Sequence, residues 1–207
     1  MARPAWRGAS PWYARRVTLL KIAQIGHPVL RQRAREVGRD ELLSDATQRF
    51  IDDLIETMRD ANGAGLAAIQ VYEPVRIFAV EVKDNPRYPY KPNVPLTIVV
   101  NPVITPIGDE KFENYEGCLS VPNLRGIVER HAEVRVTGWD RTGAPFDRTA
   151  RGLTAGTFQH ENDHLDGTIF VDRVKDPRTL TTWAEFDRYH KQPFVDRIVP
   201  FVKRMGG

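Results

Sequence analysis

Cysteine is nearly absent: Cys118 is the only one in 207 residues, so no intrachain disulfide can form and the stapled secreted scaffolds are excluded. The lone thiol is then either a small buried hydrophobe, the commoner fate of a free cysteine, or a reactive or metal-binding group. Long apolar runs are missing too. Stretches such as Ile98-Val99-Val100 are strand-sized, well short of the about 20 residues a membrane helix needs, which excludes a helical transmembrane span. No internal repeat or low-complexity tract interrupts the chain. A composition of 41% hydrophobic and 28% charged residues is that of a globular domain able to bury one substantial core.

Acid is absent from residues 1–35, which carry eight basic side chains from Arg3 to Arg35. The remaining chain holds 22 basic against 27 acidic residues, so the net charge of +3 belongs to the N-terminal segment. No nucleic-acid face is expected on the body, and no membrane surface either. Residues 1–17 read as a basic N-terminal extension lacking the apolar centre of a secretory signal, and residues 18–207 as one catalytic domain with a divergent tail. A bacterial cytoplasmic location is expected, an organelle being the alternative that an acid-free basic leader allows.

Periodicity predicts an α+β fold, mostly antiparallel strands packed around one late helix. Leu42–Asp60 reads as an amphipathic helix, with Ile51, Leu54, Ile55 and Met58 on one face and Ser44 or Asp45 as its N-cap. Val75–Val82, Leu96–Val100 and His131–Trp139 read as strands bounded by prolines and turns, Asp140 to Gly143 supplying one turn. Helical spacing returns from Gly152 to Leu165, closed by Gly167. Beyond Pro177, Thr182–His190 and Phe194–Arg204 are helix-compatible stretches that Pro193 is expected to split. The aromatics Trp183, Phe186, Phe194 and Phe201 are expected to pack this tail on the body.

The late helix carries His160-Glu161-Asn162-Asp163-His164. Residues four apart share a helix face, so both imidazoles reach one cation with Glu161 beside them. Imidazole suits a borderline-soft divalent cation. A third ligand must come from elsewhere: Phe170 stands where a further histidine would make one protease class, Glu185 or Asp172 could serve another, and Cys118 in Glu116-Gly117-Cys118-Leu119-Ser120 is the third choice. Gly117 beside it lets the backbone approach a ligand closely.

Three blocks occur in order: Gly63-Ala64-Gly65-Leu66-Ala67-Ala68-Ile69-Gln70, then Glu116-Gly117-Cys118-Leu119-Ser120, then Gln159-His160-Glu161-Asn162-Asp163-His164-Leu165-Asp166-Gly167. Together they resemble the three motifs of the peptide deformylases, which remove the formyl group from the N-formylmethionine of nascent chains. The resemblance implies a metal held by Cys118, His160 and His164, natively iron(II), with zinc, nickel or cobalt able to substitute. It implies Glu161 as general acid and base, and the Gln70 side-chain amide with the Leu119 backbone N–H as donors to the developing oxyanion. Gly65 and Gly117 are implied to border the peptide, and N-formylmethionyl peptides and a transient encounter with the ribosome are the implied partners.

Asp163 is a candidate to orient an imidazole, and the resemblance implies that Glu116 and Arg125 brace the cysteine loop as an ion pair. Against the family it resembles, the sequence has Ala64 and Gly156 where bulkier apolar residues are expected, which predicts a wider side-chain pocket, and Asn123 where glycine is common. Two other readings compete: a zinc metallopeptidase using the helix pair and a downstream carboxylate, and a closed structural metal site with no activity.

Overall fold

The computed structural model describes residues 17–83 and 90–206. All of the predicted basic extension except Val17 lies outside them. Two short helices, α1 (Arg39–Leu43) and α2 (Asp45–Asp60), meet at Ser44, whose hydroxyl accepts from the Thr47 N–H at 3.2 Å and caps α2. Seven strands follow: β1 (Gly65–Ala67), β2 (Ile77–Val82), β3 (Val94–Pro106), β4 (Lys111–Cys118), β5 (Val121–His131), β6 (Glu133–Trp139) and β7 (Pro145–Arg151). The helix α3 (Gly152–Leu165) has the limits its sequence predicts, and Gly167 sits just beyond it at φ +76°, where a Cβ would meet the Arg31 carbonyl oxygen at 2.8 Å.

The strands form two antiparallel sheets, one ordered β1-β2-β3-β6-β7 and one made of β4, β5 and the two-residue β8 (Thr181–Thr182). Alternation along β2 divides the core: Ile77 and Ala79 face α2, packing with Leu54, Ile55 and Met58, while Phe78 and Val80 face α3 and Phe158. The smaller sheet adds Val121 and Val128 to the cluster that contains α3. Being enclosed, α3 buries residues around its circumference. Arg76 holds its far end, donating to Asp166 Oδ1 at 2.7 Å and Asn162 Oδ1 at 3.3 Å.

Two proline boundaries differ from the sequence reading, one in a strand and one in the helical tail. Pro102 does not end β3, because the pairing with β6 shifts between Val100 and Val103, and a bulge leaves a residue without an N–H harmless there. Nor does Pro193 split the tail. Helical structure runs from α4 (Trp183–Glu185) through a π-helical stretch (Phe186–His190) into α5 (Lys191–Met205), and Pro193 falls in the first turn of α5, where no N–H is missed. Phe186, Phe194 and Ile198 bury against Phe112, Tyr115 and Leu153, and Phe201 stacks on Phe112 with ring centroids 4.7 Å apart, so the expected aromatic anchoring is present. No described helix is long and apolar enough to cross a membrane.

Candidate metal centre

The end of β4 lies against α3. From α3 come His160 and His164, and from β4 comes Cys118, their donor atoms all within 4.8 Å of one another. Cys118 Sγ is 3.2 Å from His164 Nε2. His160 turns Nδ1 to Glu116 Oε2 at 2.9 Å, which leaves its Nε2 for the cluster. The Ser120 N–H donates to the Cys118 sulfur at 3.3 Å.

Electrostatics divide the two imidazoles. Burial pulls His160 down, but Cys118 and Glu116 facing it outweigh that and hold it well above the usual histidine value. Burial, with the His160 charge beside it, holds His164 well below. Cys118 and Glu116 thus make the surroundings of His160 favourable to positive charge, which is what a cation site requires. Glu116 is fixed in turn by Arg130, whose Nε and Nη2 each donate at 2.8 Å to its two oxygens, and Arg130 Nη1 reaches Asp163 Oδ2 at 2.6 Å. Burial alone would raise the Glu116 carboxyl, yet Arg130 and His160 keep it well below the usual carboxylate range.

These contacts correct two expectations. Glu116 pairs with Arg130, not Arg125, and Glu116, not Asp163, orients an imidazole. Arg125 donates to the Tyr115 carbonyl at 2.7 Å and lies over the Trp183 and Phe186 rings. Asp163 is bonded to Arg130 and Arg173. The downstream carboxylates offered for a peptidase stand elsewhere: Asp172 is paired with Arg31 and Glu185 is exposed.

Glu161 lies beside the cluster with its carboxyl pushed up to about 7 by burial, and its Oε2 has no hydrogen-bond partner among the described residues. A Cβ on Gly65 would stand 2.3 Å from Glu161 Oε1, so glycine there makes room for that carboxylate. Gln70, in the short 3-10 helix after β1, is oriented by the Ala67 N–H donating to its Oε1 at 2.8 Å. Its Nε2 points to Ser120 Oγ at 3.1 Å and the Cys118 sulfur at 3.5 Å. The N-terminal segment straps this arrangement from behind: Ala23 N–H donates to the Gln70 carbonyl at 2.8 Å and Ile25 N–H to the Ser120 carbonyl at 2.7 Å.

The donor set, the charge of the cage and the orphan oxygen of Glu161 together fit a divalent cation. They open onto a cavity of about 700 Å³ whose lining includes Ala64, Gly65, Gly117, Leu119, Gly156 and Trp183. Space beside Gly156 is shared with Phe112, whose ring would lie 3.2 Å from a Cβ there. Asn123 adopts φ +56°, a conformation asparagine tolerates better than most residues. Sequence reasoning missed Arg130, Ser120 and Lys91, which also lines the cavity. The two-residue spacing of Glu116 and Cys118 on a strand puts both on one face, a signal for Glu116 but not for its partner Arg130.

Residues 19–179 match the family model described as Polypeptide deformylase. A peptide deformylase 2 from Nostoc sp. is 46% identical over 169 residues, covering 81% of this chain and 93% of that relative. A peptide deformylase 1A of Arabidopsis thaliana, named as chloroplastic and mitochondrial, is 42% identical over 182 residues, covering 84% of this chain and 67% of that relative. Among solved structures, a class I type b peptide deformylase from Acinetobacter baumannii with Met-Ala-Ser bound is similar at a TM-score of 0.74 and 38% identity, covering 77% of this chain and 100% of that one.

Proposed function

This chain belongs to the peptide deformylase family, metal-dependent hydrolases that remove the N-formyl group from the formylmethionine of nascent polypeptides, and from that premise we propose how its own residues divide the work. Cys118, His160 and His164 would hold a divalent cation, which would supply Lewis acidity toward the formyl carbonyl and acidify the attacking water. Glu161 takes the proton from that water and delivers it to the amine nitrogen as the C–N bond breaks, leaving formate and a free N-terminus. Its burial and unpartnered oxygen suit a group that must exchange a proton near neutrality. The oxygen that gains charge receives the Gln70 amide and the Leu119 N–H. Gln70 is suited to this because the Ala67 N–H fixes which end of its amide faces Cys118.

The peptide lies beside Gly65 and Gly117. Among the described residues strand β1 ends the larger sheet on its side, an edge suited to accept an extended chain through main-chain hydrogen bonds. We assign iron(II) as the native metal, with zinc, nickel or cobalt as substitutes, and residues 18–207 as one catalytic domain acting in the bacterial cytoplasm. A transient encounter with the ribosome brings the enzyme to its nascent substrate.

The convergence of Cys118, His160 and His164 beside Glu161 carries this reading. Its test is anaerobic purification with iron(II) supplied, then formate release from formyl-Met-Ala-Ser beside Glu161→Ala and Cys118→Ser. Both variants are expected to lose turnover, Cys118→Ser with its metal and Glu161→Ala while retaining it. Peptide-bond cleavage surviving in Cys118→Ser would refute the assignment.

A further inference from the structure

Three of the four tail aromatics, Phe186, Phe194 and Phe201, turn into the body, whereas Trp183 stands in the lining of the cavity that opens from the metal site. Three contacts hold it there. Strand β8 pairs Thr181 with Arg125, and Arg125 stands opposite Gly117 on β4, so the residue that follows β8 comes up beside the strand that carries Cys118. The Trp183 N–H faces Asn123 Oδ1 at 3.4 Å, which ties the start of α4 to the loop after the cysteine. The buried Arg125 guanidinium lies over the indole, 4.5 Å from its centroid, and over the Phe186 ring at 4.1 Å. The tail adds two further residues to the lining, Asp187 and Lys191, and these are paired with each other at 3.1 Å. Its contribution to the wall is therefore an aromatic surface beside a neutralised ion pair.

The indole meets the line assigned to the peptide. Gly117 borders that line without a side chain, and a Cβ there would stand 3.5 Å from Trp183 Cζ2, so the ring occupies the ground a side chain would otherwise cover. An extended peptide that leaves the metal along Gly117 advances about 3.3 Å per residue, which brings the residues after the first past the ring. A fixed aromatic wall binds apolar side chains by burial and gains more from aromatic ones through offset or edge-to-face contact. Because the indole is already held from three directions, little ordering is left to be done when a peptide arrives.

We propose that Trp183 is a specificity-determining wall for the residues that follow formylmethionine, favouring N-formylmethionyl peptides with an aromatic side chain at the second or third position. This rests on the deformylase reading and deepens it.

The test is kcat/KM for formate release from formyl-Met-Phe-Ala, formyl-Met-Ala-Phe and formyl-Met-Ala-Ala by the metal-loaded enzyme, by Trp183→Ala and by Trp183→Phe. The native enzyme is expected to favour at least one of the phenylalanine peptides over formyl-Met-Ala-Ala by about three- to tenfold, the scale of an aromatic pair. Trp183→Ala is expected to abolish that ratio and Trp183→Phe to keep most of it. Equal rates for the three peptides in the native enzyme, or a ratio that survives Trp183→Ala, overturn the proposal while leaving deformylation intact. Should Trp183→Ala not fold, tryptophan emission decides: titrating the product peptide Met-Phe-Ala or Met-Ala-Phe, whichever the native enzyme favours, is expected to change the native emission and not that of Trp183→Phe, and an equal change in both overturns the assignment. No formate from any of the three peptides overturns the deformylase reading and this one with it.

Discussion

Gly65 shows how one missing methyl group serves the chemistry. Its φ is not left-handed, so alanine fits the backbone, but the added Cβ would land on the Glu161 carboxylate, 2.3 Å from Oε1. Gly65→Ala is therefore expected to fold and bind metal normally while kcat falls by about 10²-fold, the scale of loss from a misplaced catalytic group; circular dichroism, metal content and formate release check the three parts. The ligands and Glu161 were legible because four-residue spacing on a helix is a one-dimensional signal. The partner of Glu116 was not, since cross-strand pairs depend on register. Glu116 stands opposite Gly126 on β5, so Arg130, an even number of residues on, shares its face, whereas Arg125 is turned to Trp183 and Phe186.

At the scale of elements, α2 is tied to β2 by Arg59, whose Nε donates to Glu81 Oε2 at 2.6 Å. That hydrogen bond lowers the Glu81 pKa, against the smaller raising effect of burial. The folded value lies below the unfolded one of about 4.3, so the contribution is full above that pH and is lost as pH falls through the folded value. With Arg59 43% exposed, Glu81→Gln is expected to destabilise by less than about 1 kcal/mol at pH 7. Urea unfolding should show the difference from the native protein shrinking as pH falls below the unfolded value and vanishing once it passes the folded one. The helices α2 and α3 were readable at nearly their true limits, but the β4–β5 hairpin was not. Asn114 and Glu116 occupy inward positions of β4 that an ordinary strand would fill with apolar residues, so the site erases the alternation by which a strand is recognised. The tail was misread at Pro193 because a proline in a first turn and a proline between helices look alike without knowing where the helix starts.

Across the whole molecule, the metal site joins the smaller sheet, through Cys118, to the helix packed on the larger one, through His160 and His164. A cation there should stabilise the folded chain by about 4 kcal/mol at a thousandfold excess over Kd. For a chain this size that raises the Tm by about 10 °C. Thermal melts with and without chelator measure the increment, and Cys118→Ser should lose most of it while melting like the metal-free native chain. The strap from Ala23 and Ile25 onto the carbonyls of Gln70 and Ser120 bears on how the chain tolerates trimming and fusion. Cleavage before Thr18 leaves both bonds in place, so a processed or tagged N-terminus joined there should preserve the enzyme. A cut a few residues later, after Ile25, severs both bonds from the body and frees the backbone behind the amide donor and the cysteine loop, so limited proteolysis should show activity ending abruptly within that short interval.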